Sequence, residues 1–335
     1  MKIKDFILNL RLFDTVLNAT TSATTGNDLS NEMKVYYQDR LIDLADPLLV
    51  HDQFGQKRPI PQGRGKTTEF RAFRKLPKIV TALVEGVTPD GQPLDTYTIT
   101  STVKQYGAYV CLTDFIMQTA IDPMAEEALK LIAQQGALSM DTVTREIINA
   151  GTNVQYGDGT VASRSAITSS TKLTVLAIRK AVRTLKRENA PMINGNYVAI
   201  VHPDTAFDLM SDPTWVDWQK YTSPEHMYKN EIGQIAGVRF VETTEAKIFP
   251  AGAYGTGADA YTTTIPVYST LIIGDGAYGV TDIAGGGLQT IIKQKGSGGT
   301  ADPLDQRATI GWKAAKTAEI LVDEYMVRVE TAATV

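Results

Sequence analysis

The sequence predicts an α+β fold. Three observations carry that expectation: a helical apolar stripe from about residue 122 to 149, period-two stretches at 96–112 and 308–329, and no regular strand–helix alternation of the kind that builds a parallel sheet. The chain has 335 residues, 43% of them hydrophobic, which is ample for a buried core and excludes the disordered and collagen-like classes. Its longest apolar runs, such as Tyr197–Val201, fall far short of the roughly 20 residues a membrane-spanning helix needs.

Taken in order, Ile3, Phe6, Ile7, Leu10, Phe13 and Leu17 recur at steps of three and four, the spacing of one helix face. Asp5, Asn9, Arg11 and Asp14 interrupt what a secretory signal would require as a continuous apolar stretch, so an amphipathic helix is expected, lying against a partner or its own domain. Residues 18–31, rich in Thr, Ser, Asn and Gly, read as a connector, and caps at 29–32 open a second helix to about Leu44. Between Lys57 and Lys78 stand Lys57, Arg58, Arg64, Lys66, Arg71, Arg74, Lys75 and Lys78 against the single acid Glu69. Prolines 59, 61 and 77 keep the ends of this segment extended. Thr88–Pro93 has turn chemistry, and Tyr97, Ile99, Ser101 and Val103 then alternate, followed by Tyr106, Ala108, Val110 and Leu112 after a slip placed near Gly107. The two stretches together form a two-stranded excursion, which is marginal unless it packs on something else.

Asp122 and Pro123 supply an N-cap and first-turn proline for the longest helix, with Glu126 and Glu127 in its first turn and Ala125, Leu129, Ile132, Met140, Val143 and Ile147 as its apolar stripe. At 1.5 Å per residue this rod is about 40 Å long. A second helix, Val175 to Glu188, buries Val175, Ile178, Val182 and Leu185 and turns Arg179, Lys180, Arg183, Lys186 and Arg187 outward. Strands are expected at 197–201, 238–241, 266–273 and 288–292, with a helix opened by His202-Pro203-Asp204, Gly-, Ala- and Thr-rich loops at 251–264 and 295–302, and a final β segment at 308–329.

Chemical motifs are sparse. A single cysteine, Cys111, cannot form an intrachain disulfide, and three histidines, His51, His202 and His226, offer no metal-ligand spacing. Net charge is −4, without the basic excess of a dedicated nucleic-acid binder. Gly65-Lys66-Thr67 resembles the end of a phosphate-binding loop, but position 60 is Ile where that motif needs Gly, and a strand-like segment follows it. Ser169-x-x-Lys172 lacks the companion motifs of acyl-transfer enzymes, and Gly285-Gly286-Gly287 lacks dinucleotide spacing. His202 is read as a helix cap. No catalytic residue, metal site or cofactor is expected.

Several blocks carry a resemblance. Leu48-Leu49-Val50-His51-Asp52-Gln53-Phe54-Gly55-Gln56-Lys57-Arg58-Pro59-Ile60-Pro61, Gly65-Lys66-Thr67 with Phe70-Arg71, and Leu83-Val84-Glu85-Gly86-Val87-Thr88-Pro89-Asp90-Gly91 look like major capsid proteins of tailed phages in the coliphage N-four group. So do Gln105–Val110, Asn149–Asn153, Asp302–Arg307 and Gly311-Trp312-Lys313, and the similarity runs from about residue 30 to 332. It implies the Hong Kong 97-like capsid fold: an N-terminal arm (1–62), an E-loop ribbon (63–110), a peripheral P-domain (111–159 and 301–335) with spine helix 122–149, and an axial A-domain (160–300). By the same resemblance the chain self-assembles into hexamers and pentamers of an icosahedral head. It would do so in the host bacterial cytoplasm, with portal and scaffolding or decoration proteins as partners, double-stranded DNA held non-specifically inside, and no membrane. The implied intersubunit contacts are Phe6, Leu10 and Phe13 in the arm and Arg71, Arg74, Glu85, Thr88, Asp90, Gly91 and Tyr97 in the ribbon. An encapsulin-like nanocompartment shell uses a similar fold and is the first alternative; a phosphate-binding enzyme using Lys66 is a remote one.

Overall fold

In the computed structural model, which describes residues 50–82, 85–86, 88, 90–119, 124–219, 233–254, 261–283, 286–298 and 302–334, two sheets are built around the longest helix and the last two strands. The chain begins with β1 (Gln56–Lys57), then the paired strands β2 (Thr67–Phe73) and β3 (Thr96–Thr102). β4 (Lys104–Thr113) runs into α1 (Asp114–Thr119), and the rod follows as α2 (Met124–Ile148). Beyond it lie β5 (Val154–Tyr156), α3 (Val175–Arg187), β6 (Tyr197–Val201), α4 (Pro203–Met210) and α5 (Pro213–Gln219). Then come β7 (Gln234–Ile235), β8 (Val238–Glu242), β9 (Ile248–Phe249), β10 (Gly252–Tyr254), β11 (Tyr261–Thr263) and β12 (Val267–Ile273). The last four are β13 (Tyr278–Asp282), β14 (Gln289–Lys293), β15 (Arg307–Ile320) and β16 (Met326–Thr331). The expected arm helix and the helix at 29–44, with Asp122 and Pro123, fall outside the described residues.

β15 is the axis of the first sheet. One of its edges takes β4 in antiparallel register from Arg307↔Thr113 to Lys316↔Lys104. Its other edge is shared end to end by β14, paired with Thr309–Lys313, and β13, paired with Lys316–Ile320. Alternate residues Ile310, Trp312, Ala314 and Ala318 are buried, the period-two pattern of a strand with one face on a core. α2 lies on that face: Ala128 and Leu129 meet Leu112 and Ile310, and Ile132 and Met140 meet Trp312 and Ala314. Helix and indole approach closely because position 136 is glycine. A Cβ there would stand 3.1 Å from the Leu288 side chain and 3.3 Å from the Trp312 ring, so a larger residue would crowd the contact.

The second sheet has strand order β5-β16-β12-β6-β8-β7, with β9 added beside β12. β6 reads as an unbroken apolar run because both of its faces are covered. Tyr197, Ala199 and Val201 pack with Ile178, Ala181 and Leu185 of α3, and Ile200 packs with Ile148, Leu271, Tyr278 and Ala318 on the opposite side. That second cluster draws residues from α2, β13 and β15 as well as β6 and β12, and so joins the two sheets. α3 buries its four expected apolar positions and exposes Arg179, Arg183, Lys186 and Arg187, whereas Lys180, also expected outward, is half-buried and donates to the Asp158 carbonyl at 2.6 Å. Its N-terminus is capped by Thr174, whose hydroxyl accepts from the Ala177 N–H.

Several local expectations differ from the structure, among them the loop at 251–264, whose ends Gly252–Tyr254 and Tyr261–Thr263 pair as antiparallel strands. The single β segment at 308–329 is two strands in different sheets, because one helical turn at Asp323–Tyr325 lets the chain cross between them. The slip placed near Gly107 lies at Val103, between β3 and β4; Val103 is buried there and its N–H donates to the Lys66 carbonyl. Gly107 is instead a close approach, since a Cβ would come 2.7 Å from the Trp312 carbonyl oxygen. In α2, Ala125 is exposed and lies off the buried stripe, while Val143 and Ile147 are half-buried. The sheets also cross the expected segment borders: β1 and β13 pair with each other, β13 and β14 pair with β15, and β16 pairs with β12.

Candidate interaction surfaces

The β2–β3 ribbon is anchored at one end and bare at the other. Its strands pair from Thr67↔Thr102 to Phe73↔Thr96, and the inward face at its base carries the buried Phe70 and Ser101. Phe70 rests against Gly279 of β13, where a Cβ would stand 2.9 Å from its ring, and the Arg58 guanidinium lies 5.6 Å from its centroid. Beyond Phe73 the chain has no strand pairing among the described residues, and large apolar side chains face outward: Val80 is 92% exposed and Ile79 71%, with Phe73, Leu76 and Leu94 close behind. Apolar side chains gathered on one projection, without a core behind them, mark a surface that another molecule covers.

All seven ribbon residues expected to make contacts are described, and they differ in character. Arg71 pairs with Glu69 at 3.2 Å and Arg74 with Asp95 at 3.3 Å, both on the exposed surface. Glu85, Thr88, Asp90 and Gly91 are exposed in the turn region and Tyr97 is half-buried. Phe6, Leu10 and Phe13 lie outside the described residues. Ile79 and Val80 escaped the sequence reading; the signal was present, as an adjacent apolar pair between Pro77 and the turn at residue 88.

A second apolar surface runs along the outer side of α2, where Met124, Leu131 and Leu138 are exposed. On the inner side the chain entering the described structure is pinned to the same helix. Asp141, fully buried, accepts from the backbone N–H groups of Val50 (3.1 Å) and His51 (2.9 Å), and its other oxygen lies 2.6 Å from His51 Nδ1. Burial alone would raise the Asp141 pKa. The His51 hydrogen bond and charge, with the two backbone donors, outweigh burial and hold the carboxyl below its usual 3.8. Beside it Asp52 accepts from Thr144 Oγ1 at 2.7 Å and from Lys316, which also donates to the Met140 carbonyl at 3.1 Å. The Tyr278 hydroxyl donates to the His51 carbonyl. This cluster joins buried polar groups in one connected arrangement, with His51 Nε2 the member that has no partner, and it is a structural fastening with no open face toward a substrate.

The chemical alternatives fare differently. Lys66 is exposed and leads directly into β2, so no helix N-terminus follows it to receive a phosphate. Lys172 is engaged by Thr334 at 2.6 Å and lies 3.3 Å from Asp208. His202 caps α4 as expected, its Nδ1 accepting from the Asp204 N–H at 3.2 Å. Among the described residues no cluster of His, Cys, Asp and Glu is arranged to hold a metal, and no helix is long and apolar enough to cross a membrane.

Comparison with known proteins gives a consistent result. A family model described as phage capsid protein matches residues 96–326. The capsid of Ralstonia phage GP4 is similar in structure with a TM-score of 0.63 at 14% identity, covering 85% of this chain and 89% of that one. The capsid of cyanophage P-SCSP1u gives 0.62 at 13% identity over 85% and 89%, and that of cyanophage Pam1 gives 0.59 at 15% over 87% and 92%. No curated protein matches the chain.

Proposed function

The chain belongs to the phage capsid protein family, with the expected Hong Kong 97-like fold, and from that premise we propose that it is the major head protein of a tailed phage of the coliphage N-four group. It is a structural protein of the virion capsid. In the proposed assembly, hexamers and pentamers close an icosahedral shell around double-stranded DNA, with portal and scaffolding or decoration proteins as further partners and no catalytic step. The observation that carries the reading is the family match across residues 96–326. The bare apolar end of the ribbon supports it, because such a surface on a capsid subunit is explained by burial against a neighbour.

In this proposal the arm is residues 1–62, the E-loop 63–110, the P-domain 111–159 with 301–335, and the A-domain 160–300. Phe6, Leu10, Phe13, Arg71, Arg74, Glu85, Thr88, Asp90, Gly91 and Tyr97 contribute intersubunit contacts, joined by Ile79 and Val80. Each interface needs only moderate strength, since closure makes every copy multivalent and release of one contact leaves the others in place. The exposed Arg71–Glu69 and Arg74–Asp95 pairs are each worth about 1 kcal/mol or less and act in orientation more than in affinity. The net charge of −4 suits a wall that contains DNA without gripping it. The test is negative-stain microscopy of the purified chain, with and without a scaffolding protein: capsomers or closed shells are expected. Chains that stay monomeric under every condition would overturn the reading.

A further inference from the structure

The exposed row on α2 has a matching row in the same chain. Met124, Leu131 and Leu138 stand at intervals of seven residues on the outer face of the helix, and Leu131 and Leu138 border a shallow hollow of about 550 Å³ lined also by Gln134, Gln135, Ser139 and Thr142. In the arm, Ile3, Leu10 and Leu17 also stand at intervals of seven, with Phe6 and Phe13 between them, which is the a/d pattern of a helix that packs along another helix. Each row covers 14 residue steps, about 21 Å of helix at 1.5 Å per residue. The lengths therefore match from end to end.

The connection fits as well. The chain enters the described structure at Val50, whose N–H is held by Asp141, one turn beyond Leu138 on the same helix. Residues 18–49 connect the two; with the expected helix at about 29–44 contributing about 24 Å and the other 16 residues about 22 Å as coil, the segment can return residues 1–17 to the face between positions 124 and 138. With those other residues drawn out at about 3.3 Å each it spans about 77 Å, enough to reach the same face of an adjoining copy. The ribbon end is a poorer occupant: Phe73, Val80 and Leu94 are also spaced by multiples of seven, but the described residues 74–82 and 90–95 form no helix, so that spacing does not gather them on one face.

We propose that residues 1–17 form a helix that lies along the outer face of α2, burying Ile3, Phe6, Leu10, Phe13 and Leu17 against Met124, Leu131 and Leu138. The contact gives the arm a defined docking site on a subunit, and it does not require shell closure, so its failure is separable from failure of the capsid reading. The experiment uses the full-length chain. In a Cys111→Ser background, Leu10→Cys is paired with Leu131→Cys, the midpoints of the two rows, so that a cross-link is expected whichever way the helix runs. A product of monomer mass places the arm on its own subunit and one of dimer mass on a neighbour's; both support the contact. Cross-linking of Leu10→Cys to Val80→Cys in place of Leu131→Cys would overturn it. Amide exchange on chains without introduced cysteines gives a second reading. Residues 3–17 are expected to exchange at least 10-fold slower than in the isolated 1–17 peptide, and Leu131→Glu, at a site 62% exposed and outside the core, to abolish that slowing. Exchange at the peptide rate in the parent chain, or slowing that survives Leu131→Glu, would sink the proposal.

Discussion

Asp141 shows what a single buried carboxylate contributes when it is fully engaged. Asp141→Asn keeps the shape but removes the charge and sets an amide N–H against donors; an expected cost of about 3 kcal/mol follows from breaking one side of a buried hydrogen-bonded pair. A fall in the urea midpoint of the unassembled chain checks it. Because the folded-state pKa lies below the unfolded one, the folded chain binds fewer protons there, and this stability is present above pH about 4 and lost as the pH falls through the folded value. The parent chain should therefore lose more stability than Asp141→Asn between pH 4 and 2, and parallel melting profiles would contradict the assignment. Gly136 makes the opposite point about size. Valine gains back only about 0.4 kcal/mol of helix propensity and drives branched carbons into the Trp312 indole, for a net loss of about 2 kcal/mol, seen as a lowered thermal midpoint. Neither role was legible in the sequence: Asp141 reads as a polar position on a helix, and its partners are about 90 residues away in the chain.

At the scale of elements the pattern was more telling. The period-two run at Tyr97–Val103 and the apolar faces of 122–149 and 175–188 gave strands and helices close to those observed, because local periodicity reports which side of an element is covered. It did not report what covers it. The 308–329 segment has one continuous β character, yet its two halves lie in different sheets, and only the pairing partners decide that. The ribbon tests this distinction. Phe70→Ala should free its base from Gly279, so that amides of 67–102 exchange faster while those of α3 are unchanged; a uniform change would mean that Phe70 supports the whole fold. At the far end, Ile79→Asp with Val80→Asp should leave the unfolding free energy of the isolated chain within about 0.5 kcal/mol of the parent. The same double variant should stop particle formation in sedimentation, and normal particles from it would remove the ribbon end from the interface.

For the whole molecule, family membership was legible from contiguous blocks, while the surfaces proposed for contact were legible only in part. Arg71, Arg74, Glu85, Thr88, Asp90 and Gly91 are exposed on the ribbon, but its apolar tip and the outer row of α2 emerged only once the inward face of each element was known. Surface apolar residues are common in any protein, so their position on a projection is what distinguishes them. The pairing of β15 has a mechanical consequence. The ribbon is continuous with β4 through Val103, and β4 is held to β15 over ten register pairs. A tug on the ribbon along the strand axis is carried in shear by all ten at once, and β15 is backed on its other edge by β13 and β14. A peeling force would meet the pairs one at a time. In the proposed shell, ribbons that end in shear-loaded ladders would stretch before they unzip.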